Sequence, residues 1–247
     1  MKCHKKNIKS IWVLGSTSEV AQSICRELAV CGCKHFHLIA RNSFENERFA
    51  DELEQGFGVV VNCQQADLLL DANLNDKYVF NVDDFDLYLV TVGSLGDAEL
   101  ARVDSGEALR ITTSNYTGLI RWITSIASPE RLTKQSRLWV FSSVAADRGR
   151  PSNYHYGAAK AALTTFCEGL LLRCNDTSFA VRIIKAGFIS TKMARGKAPP
   201  FLCVSPRSVA RNLLRRPDRR GIEYLPFWWF PLMLLVRSLP SFFASKL

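Results

Sequence analysis

Several features are missing from this chain, and each absence excludes a class of protein. Its four histidines show no ligand spacing, and the single C-x-C, Cys31 and Cys33, has neither a second pair nor a histidine cluster near it, so no metal is expected. The other cysteines, Cys3, Cys25, Cys63, Cys167, Cys174 and Cys203, are scattered through core-like segments. That pattern fits free thiols in a reducing cytoplasm better than a disulfide scaffold. No Gly/Ser-rich or Pro-rich linker and no internal repeat divides the sequence before its last segment, so one domain is expected. A secretory signal is not expected either, because Lys2, Lys5, Lys6 and Lys9 run straight into a strand-like segment. The longest uncharged stretch, Leu225 to Val236, falls short of the ~20 residues that span a bilayer, and Pro226 and Pro231 interrupt it.

What is present is a regular alternation. Apolar runs at Ser10 to Gly15, His35 to Ala40, Val59 to Cys63, Phe85 to Val92, Arg137 to Ser142, Phe179 to Ile184 and Gly221 to Leu225 are separated by helical periods. This order predicts an α/β fold: a single-domain, doubly wound parallel sheet of Rossmann type with helices on both faces. The domain covers residues 1–226, and an apolar aromatic tail follows over 227–247.

Tyr156 and Lys160 stand four apart in a helical pattern, which places a phenol and an ammonium on one face. A cation beside a phenol stabilises the phenolate and turns the hydroxyl into a usable proton donor. Thirteen residues earlier Ser143 closes a buried strand, and a further twenty-eight back Asn115 lies in a long helical pattern. Asn115, Ser143, Tyr156 and Lys160 together resemble, in composition and spacing, the catalytic tetrad of the short-chain dehydrogenase/reductase family. The likeness runs over roughly residues 8 to 226. It implies that Tyr156 protonates an alkoxide, Ser143 hydrogen-bonds it, Lys160 sustains Tyr156 and binds the nicotinamide ribose, and Asn115 anchors a water. Each residue also has an ordinary use: Ser143 in a turn, Asn115 as a surface amide, Gly15 in any strand-to-helix turn, Thr191 as a helix cap.

The segment Gly15-Ser16-Thr17-Ser18-Glu19-Val20 leads from the first strand into a helix spanning Val20 to Ala29. Gly15 permits a tight turn, the small hydroxyl residues leave room for a pyrophosphate, and the helix start offers unpaired N–H groups. Glu19 and Ala21 occupy positions where the family commonly has glycine, and this variant resembles the subgroup containing decaprenylphosphoryl 2-keto-pentose reductase. After the second strand comes Arg41-Asn42 with no carboxylate, which favours the 2′-phosphate of NADPH (NADP+) over the bare hydroxyl of NADH. By resemblance, Asp67, followed by Leu68, bonds the adenine amino group. Gly93 of Val90-Thr91-Val92-Gly93 admits the adenosine side, though only this glycine of the family's Asn-Asn-Ala-Gly remains. Ile189 and Thr191 meet the nicotinamide carboxamide or a phosphate, with Ala186 where the family has proline. Arg150, Asn153 and His155, between Ser143 and Tyr156, are candidates for the substrate mouth.

The chain carries a formal net charge of +9. Much of it gathers at Arg207, Arg211, Arg215, Arg216, Arg219 and Arg220, opposed locally only by Asp218 and followed by the Trp- and Phe-rich tail. Cations beside aromatic anchors describe a membrane surface, and no nucleic-acid module accompanies them. A tail of this kind also suits a homo-oligomer interface or a cover over the active site. The expectation is therefore a cytoplasmic enzyme, peripheral on the inner face of a membrane. It would reduce the keto-sugar of a polyprenyl-phosphate-linked pentose after a flavin oxidase has formed it, during epimerisation for the cell envelope. The alternatives are a reductase of another lipid ketone, such as a steroid, acyl chain or sphingoid base, or a non-catalytic cofactor-binding scaffold.

Overall fold

The alternation of apolar runs becomes one sheet. The computed structural model describes residues 8–70, 84–194 and 199–244, and the amino-terminal Lys2, Cys3, Lys5 and Lys6 lie outside them. Seven strands, β1 (Ser10–Leu14), β2 (His35–Ala40), β3 (Val60–Gln65), β4 (Leu87–Val90), β5 (Arg137–Ser143), β6 (Ala180–Ala186) and β7 (Gly221–Leu225), lie in the order β3-β2-β1-β4-β5-β6-β7. All six pairings are parallel. The helices between them are α1 (Glu19–Val30), α2 (Ser43–Phe57), α3 (Ser105–Thr112), α4 (Gly118–Ile126), the short α5 (Pro129–Leu132), α6 (Tyr154–Arg173), α7 (Pro206–Arg215), α8 (Trp229–Ser238) and α9 (Ser241–Ala244).

Strand side chains alternate between faces, so each central strand feeds two cores. Ile11, Val13, Leu87, Leu89, Trp139 and Phe141 pack on one side with residues of α1, α2 and α7. Trp12, Leu14, Tyr88, Val90, Leu138 and Val140 pack on the other with α4 and α6. Burial on both faces explains why these strands read as unbroken apolar runs. The edge strand β3 differs: it is largely exposed, and its polar Gln64 and Gln65 continue the pairing along β2 beyond the expected end at Cys63. β4 is shorter than its apolar run. Thr91 leaves it with its N–H on the Leu14 carbonyl at 3.0 Å and its hydroxyl on the Gly15 carbonyl at 2.9 Å.

Two sequence expectations are corrected here. Cys31 is disulfide-bonded, while Cys25, Cys33, Cys63, Cys167, Cys174 and Cys203 are free thiols, so the cysteines are not all reduced. The arginine cluster is opposed by more than Asp218. Glu27 of α1 accepts from Arg207 and Arg211, both at 2.9 Å, and Glu223 of β7 accepts from Arg219 at 3.0 Å. Asp218 pairs with Arg137 instead, at 2.6 Å. These carboxylates come from distant segments, which local charge counting does not reach.

Tail and sheet also meet. Trp229 and Met233, one turn apart on α8, pack into a small core with Val144, Phe188 and Tyr224. No described helix is long and apolar enough to cross a membrane.

A buried ion pair holds β7 to β6. Arg182 is 1% exposed, donates to Glu223 at 2.7 Å and to the carbonyls of Leu213 and Arg216 at 3.0 and 3.1 Å, and lies over the Trp139 ring. Removing one partner strands the other's charge in the interior. Glu223→Ala is therefore expected to lower unfolding free energy by about 3 kcal/mol or more in urea titrations. A change below about 1 kcal/mol, the range of solvated pairs, would show that water reaches the guanidinium.

Candidate active site

The site lies where β4 and β5 end. α6 begins just beyond, and its first turns carry Tyr156 and Lys160 back across the sheet's carboxyl edge. Gly157 makes this approach feasible: a Cβ there would stand 2.9 Å from the Ala145 carbonyl, two residues past Ser143. Ser142, buried at the end of β5, then fixes the helix with hydrogen bonds to the Lys160 carbonyl at 3.2 Å and the Thr164 hydroxyl at 2.7 Å.

Ser143 lies close enough to the Tyr156 phenol to lower its pKa and accepts from the Ala145 N–H at 3.1 Å. Tyr156 is 9% exposed, and this burial raises its pKa. Ser143 and the Arg150 charge pull the other way. Arg150 therefore brings a cation to bear on the phenol in addition to Lys160, which the helical spacing places on the same side of α6. Arg150 is half-buried, desolvation lowers its own pKa, and its Nε has no hydrogen-bond partner among the described residues.

Lys160 is 3% exposed and directs its ammonium at the sheet edge, donating to the carbonyls of Phe141 at 3.1 Å and Val92 at 3.2 Å. Desolvation pushes its pKa down to about 8. The folded chain therefore holds fewer protons than the unfolded chain between about pH 8 and the ordinary lysine value of 10.5. The charge costs stability below that window, and the cost is relieved as pH rises through it.

Asn115 sits in a π-helical turn, Thr113–Thr117, between α3 and α4, where the regular ladder slips by one residue. Its amide donates to the carbonyls of Ser94 at 2.7 Å and Ile111 at 2.8 Å, and accepts from the Ser94 N–H at 3.1 Å. The two bonds with Ser94 join this turn to the loop after β4. Gly93 lies between: a Cβ on it would fall 3.2 Å from Asn115 Oδ1 and 3.3 Å from Lys160 Nζ. The fold thus brings Asn115, Gly93 and Lys160 together, and Ser143 to Tyr156.

The expected cofactor residues line the same carboxyl edge. Gly15 has φ +93°, and a Cβ on it would stand 2.9 Å from the Val92 backbone nitrogen, so the turn excludes other residues. Ser16 is wholly buried with its hydroxyl on the Ile39 carbonyl and Asn46, so it shapes the loop from below. Ser18 precedes α1, makes no side-chain cap, and leaves the first turn of α1 open beside Thr17 and Val20. Glu19 reaches across and accepts from the Lys192 N–H at 2.6 Å, tying the glycine loop to the segment of Ile189 and Thr191. Thr191 donates from its backbone to the Ile189 carbonyl at 2.7 Å. Arg41 is exposed at the end of β2, and Asn42 caps α2 by accepting from Glu45. Asp67 accepts from the Leu69 N–H at 3.0 Å, while Leu68 is buried in the core. A positive-φ glycine under an open helix start, a cleared cradle at Gly93 and an exposed arginine after β2 with no ion pair among the described residues fit a dinucleotide with a 2′-phosphate. Among the described residues no His, Cys, Asp and Glu group could hold a metal.

Other side chains escaped the sequence reading. Asp147, just past Ser143, is buried in an ion pair with Lys185 at 2.5 Å and accepts from the Tyr224 hydroxyl at 2.8 Å. Arg148 donates to the carbonyls of Arg237 at 3.1 Å and Leu239 at 3.2 Å, capping α8. Neither belongs to a motif. Of the proposed mouth residues, Asn153 and His155 line a narrow cavity beside Tyr156 together with Leu95 and Ile111.

The model of the family described as short chain dehydrogenase matches residues 9–200. An uncharacterized oxidoreductase from Mycobacterium tuberculosis is 29% identical, covering 93% of each chain. Another from Streptomyces coelicolor is 31% identical over 94% of this chain and 93% of its own. Among solved structures, a short-chain dehydrogenase from Sphingobium yanoikuyae in complex with NADPH superposes with a TM-score of 0.75 at 19% identity, covering 94% of this chain and 97% of that one.

The Arg150 charge gives a test with a definite sign. Arg150→Met removes a lowering influence, so the Tyr156 phenol should titrate at higher pH. The pH midpoint of alcohol oxidation, which needs the phenolate, should move upward. An unchanged midpoint would show that the Arg150 charge does not act on the phenol.

Proposed function

The chain belongs to the short-chain dehydrogenase family, and on that premise we propose that it is a reductase that uses NADPH to turn a carbonyl into an alcohol. The observation that carries this reading is a buried Tyr156 with Ser143 close to its phenol, on the same sheet edge as the cluster of Gly93, Asn115 and Lys160. NADPH, when bound, supplies the hydride.

Tyr156 then gives its phenolic proton to the carbonyl oxygen as negative charge develops there, and Ser143 donates a hydrogen bond to the same oxygen. Arg150 and Ser143 stabilise the phenolate left behind. Lys160, held on the ends of β4 and β5, presents an ammonium to the ribose and to proton return. Asn115 keeps the π-turn and the Gly93 loop together, so that a water can join the relay. Gly15, Thr17, Ser18 and the first turn of α1 with Glu19 and Val20 receive the pyrophosphate. Asp67 and Leu68 flank the adenine, Ile189 and Thr191 receive the carboxamide, and Arg41 with Asn42 receives the 2′-phosphate.

For the substrate we assign the keto-sugar of a polyprenyl-phosphate-linked pentose, formed by a partner flavin oxidase and reduced at the cytoplasmic face of the membrane. Two observations support this: the Gly15-to-Ala21 variant of the glycine loop, and an aromatic tail that leaves Phe227 78% and Leu235 60% exposed. An apolar carrier that does not enter water needs an enzyme that comes to the lipid.

A lipid extract should oxidise NADPH in the presence of the enzyme, and Tyr156→Phe should lower kcat by roughly a hundredfold or more. Equal turnover by the two proteins would sink the reductase reading, and turnover restricted to other lipid ketones would remove the keto-sugar. Arg41→Asp should weaken NADPH binding at least tenfold with little change for NADH, measured by cofactor fluorescence. Equal losses for both would take Arg41 away from the 2′-phosphate.

A further inference from the structure

A cleft of about 600 Å3 lies away from Tyr156, between the end of α7, the edge strand β7 and the start of α8. Its walls differ in character. One carries Arg215, Arg216 and Arg219, and the other Phe227, Phe230 and Pro231. Asn212 and Arg215 are shared with a shallower depression holding Arg207 and Arg211, so the basic lining runs on along α7. The nearby carboxylates are already engaged, Glu223 by Arg182 and Arg219, and Glu27 by Arg207 and Arg211. Arg215 and Arg216 are exposed and make no ion pair among the described residues.

The adjoining helix has an uncovered side. α8 carries one charge, Arg237, and turns Trp229 and Met233 into the protein. Its outer face leaves Phe230 52%, Leu234 50% and Leu235 60% exposed, continuous with Phe227. A helix apolar on both sides needs a second apolar phase. A second copy of this chain could cover the apolar face but offers no surplus of negative charge to the arginines, since the carboxylates beside them are already engaged. An anionic lipid surface meets both halves, with phosphates for the arginines and acyl chains for the rings.

We propose that this cleft is a lipid-headgroup site: the phosphate of an anionic membrane lipid sits between Arg215, Arg216 and Arg219, while Phe227, Phe230, Leu234 and Leu235 enter the acyl boundary. The assignment rests on the membrane placement given above and adds the residues and the lipid charge. It needs no knowledge of the substrate.

The test is co-sedimentation of the full chain with vesicles of phosphatidylcholine alone or mixed equally with phosphatidylglycerol. Wild type should bind the mixed vesicles, leave the neutral ones in solution and lose binding as salt rises. Arg215→Glu/Arg216→Glu and, separately, Phe230→Ser should each lower the partition coefficient roughly tenfold or more. NADPH fluorescence enhancement should be unchanged in both, which confirms folding and reads the reductase site independently. Vesicle binding that both variants retain would overturn the cleft and leave membrane placement standing. Absence of wild-type binding would overturn both, as would a dimer that Phe230→Ser converts to monomer.

Discussion

The ammonium of Lys160, buried where β4 and β5 run out, is the constraint around which the site is arranged. A pKa brought from 10.5 to about 8 corresponds to a penalty of about 3 kcal/mol for keeping the charge at neutral pH. Two main-chain carbonyls, from Phe141 and Val92, are what the fold offers against it. Those carbonyls point at the helix because parallel strands end there in register, and the helix is held to them by Ser142 and by the absence of a side chain at Gly157. The same junction brings Ser143 to Tyr156. A polar pair is thereby kept dry without being neutralised, which is the environment proton transfer needs.

The sheet was legible because all but its edge strands are buried on both faces, and such strands declare themselves as apolar runs between turn residues. Tyr156, Lys160 and Ser143 were legible because helical spacing and a strand end are local facts. Arg150 was placed only as a mouth residue: nothing in the loop from Ala145 to Ser152 says which side chain folds back toward the phenol. The Asp147, Lys185 and Tyr224 group joins three distant segments, and Glu27 and Glu223 reach the arginines in the same way. For α8, periodicity was silent for a different reason. With nearly every position apolar, no pattern marks Trp229 and Met233 as the inward pair.

Charge is distributed in two manners over the carboxyl-terminal third. Arg182 and Arg137 are structural cations, enclosed and matched by Glu223 and Asp218, and they align β5, β6 and β7. Arg220 likewise closes the turn after α6, donating to the carbonyls of Cys174, Asn175 and Thr177. The surplus is left to Arg215 and Arg216, so the formal charge of +9 overstates how much of this region is free to attract a partner.

Arg148 ends on the carbonyls of Arg237 and Leu239, and Val144 packs against Trp229. The loop that follows Ser143 is therefore covered by a helix from a distant part of the chain. Until α8 has been synthesised, Val144, Phe188 and Tyr224 have no cover and Arg148 no acceptors, so a nascent chain that already holds its whole sheet still lacks the outer wall of its pocket. A substitution that unseats Trp229 would disturb the loop after Ser143 some eighty-five residues upstream, an effect easily mistaken for lost affinity.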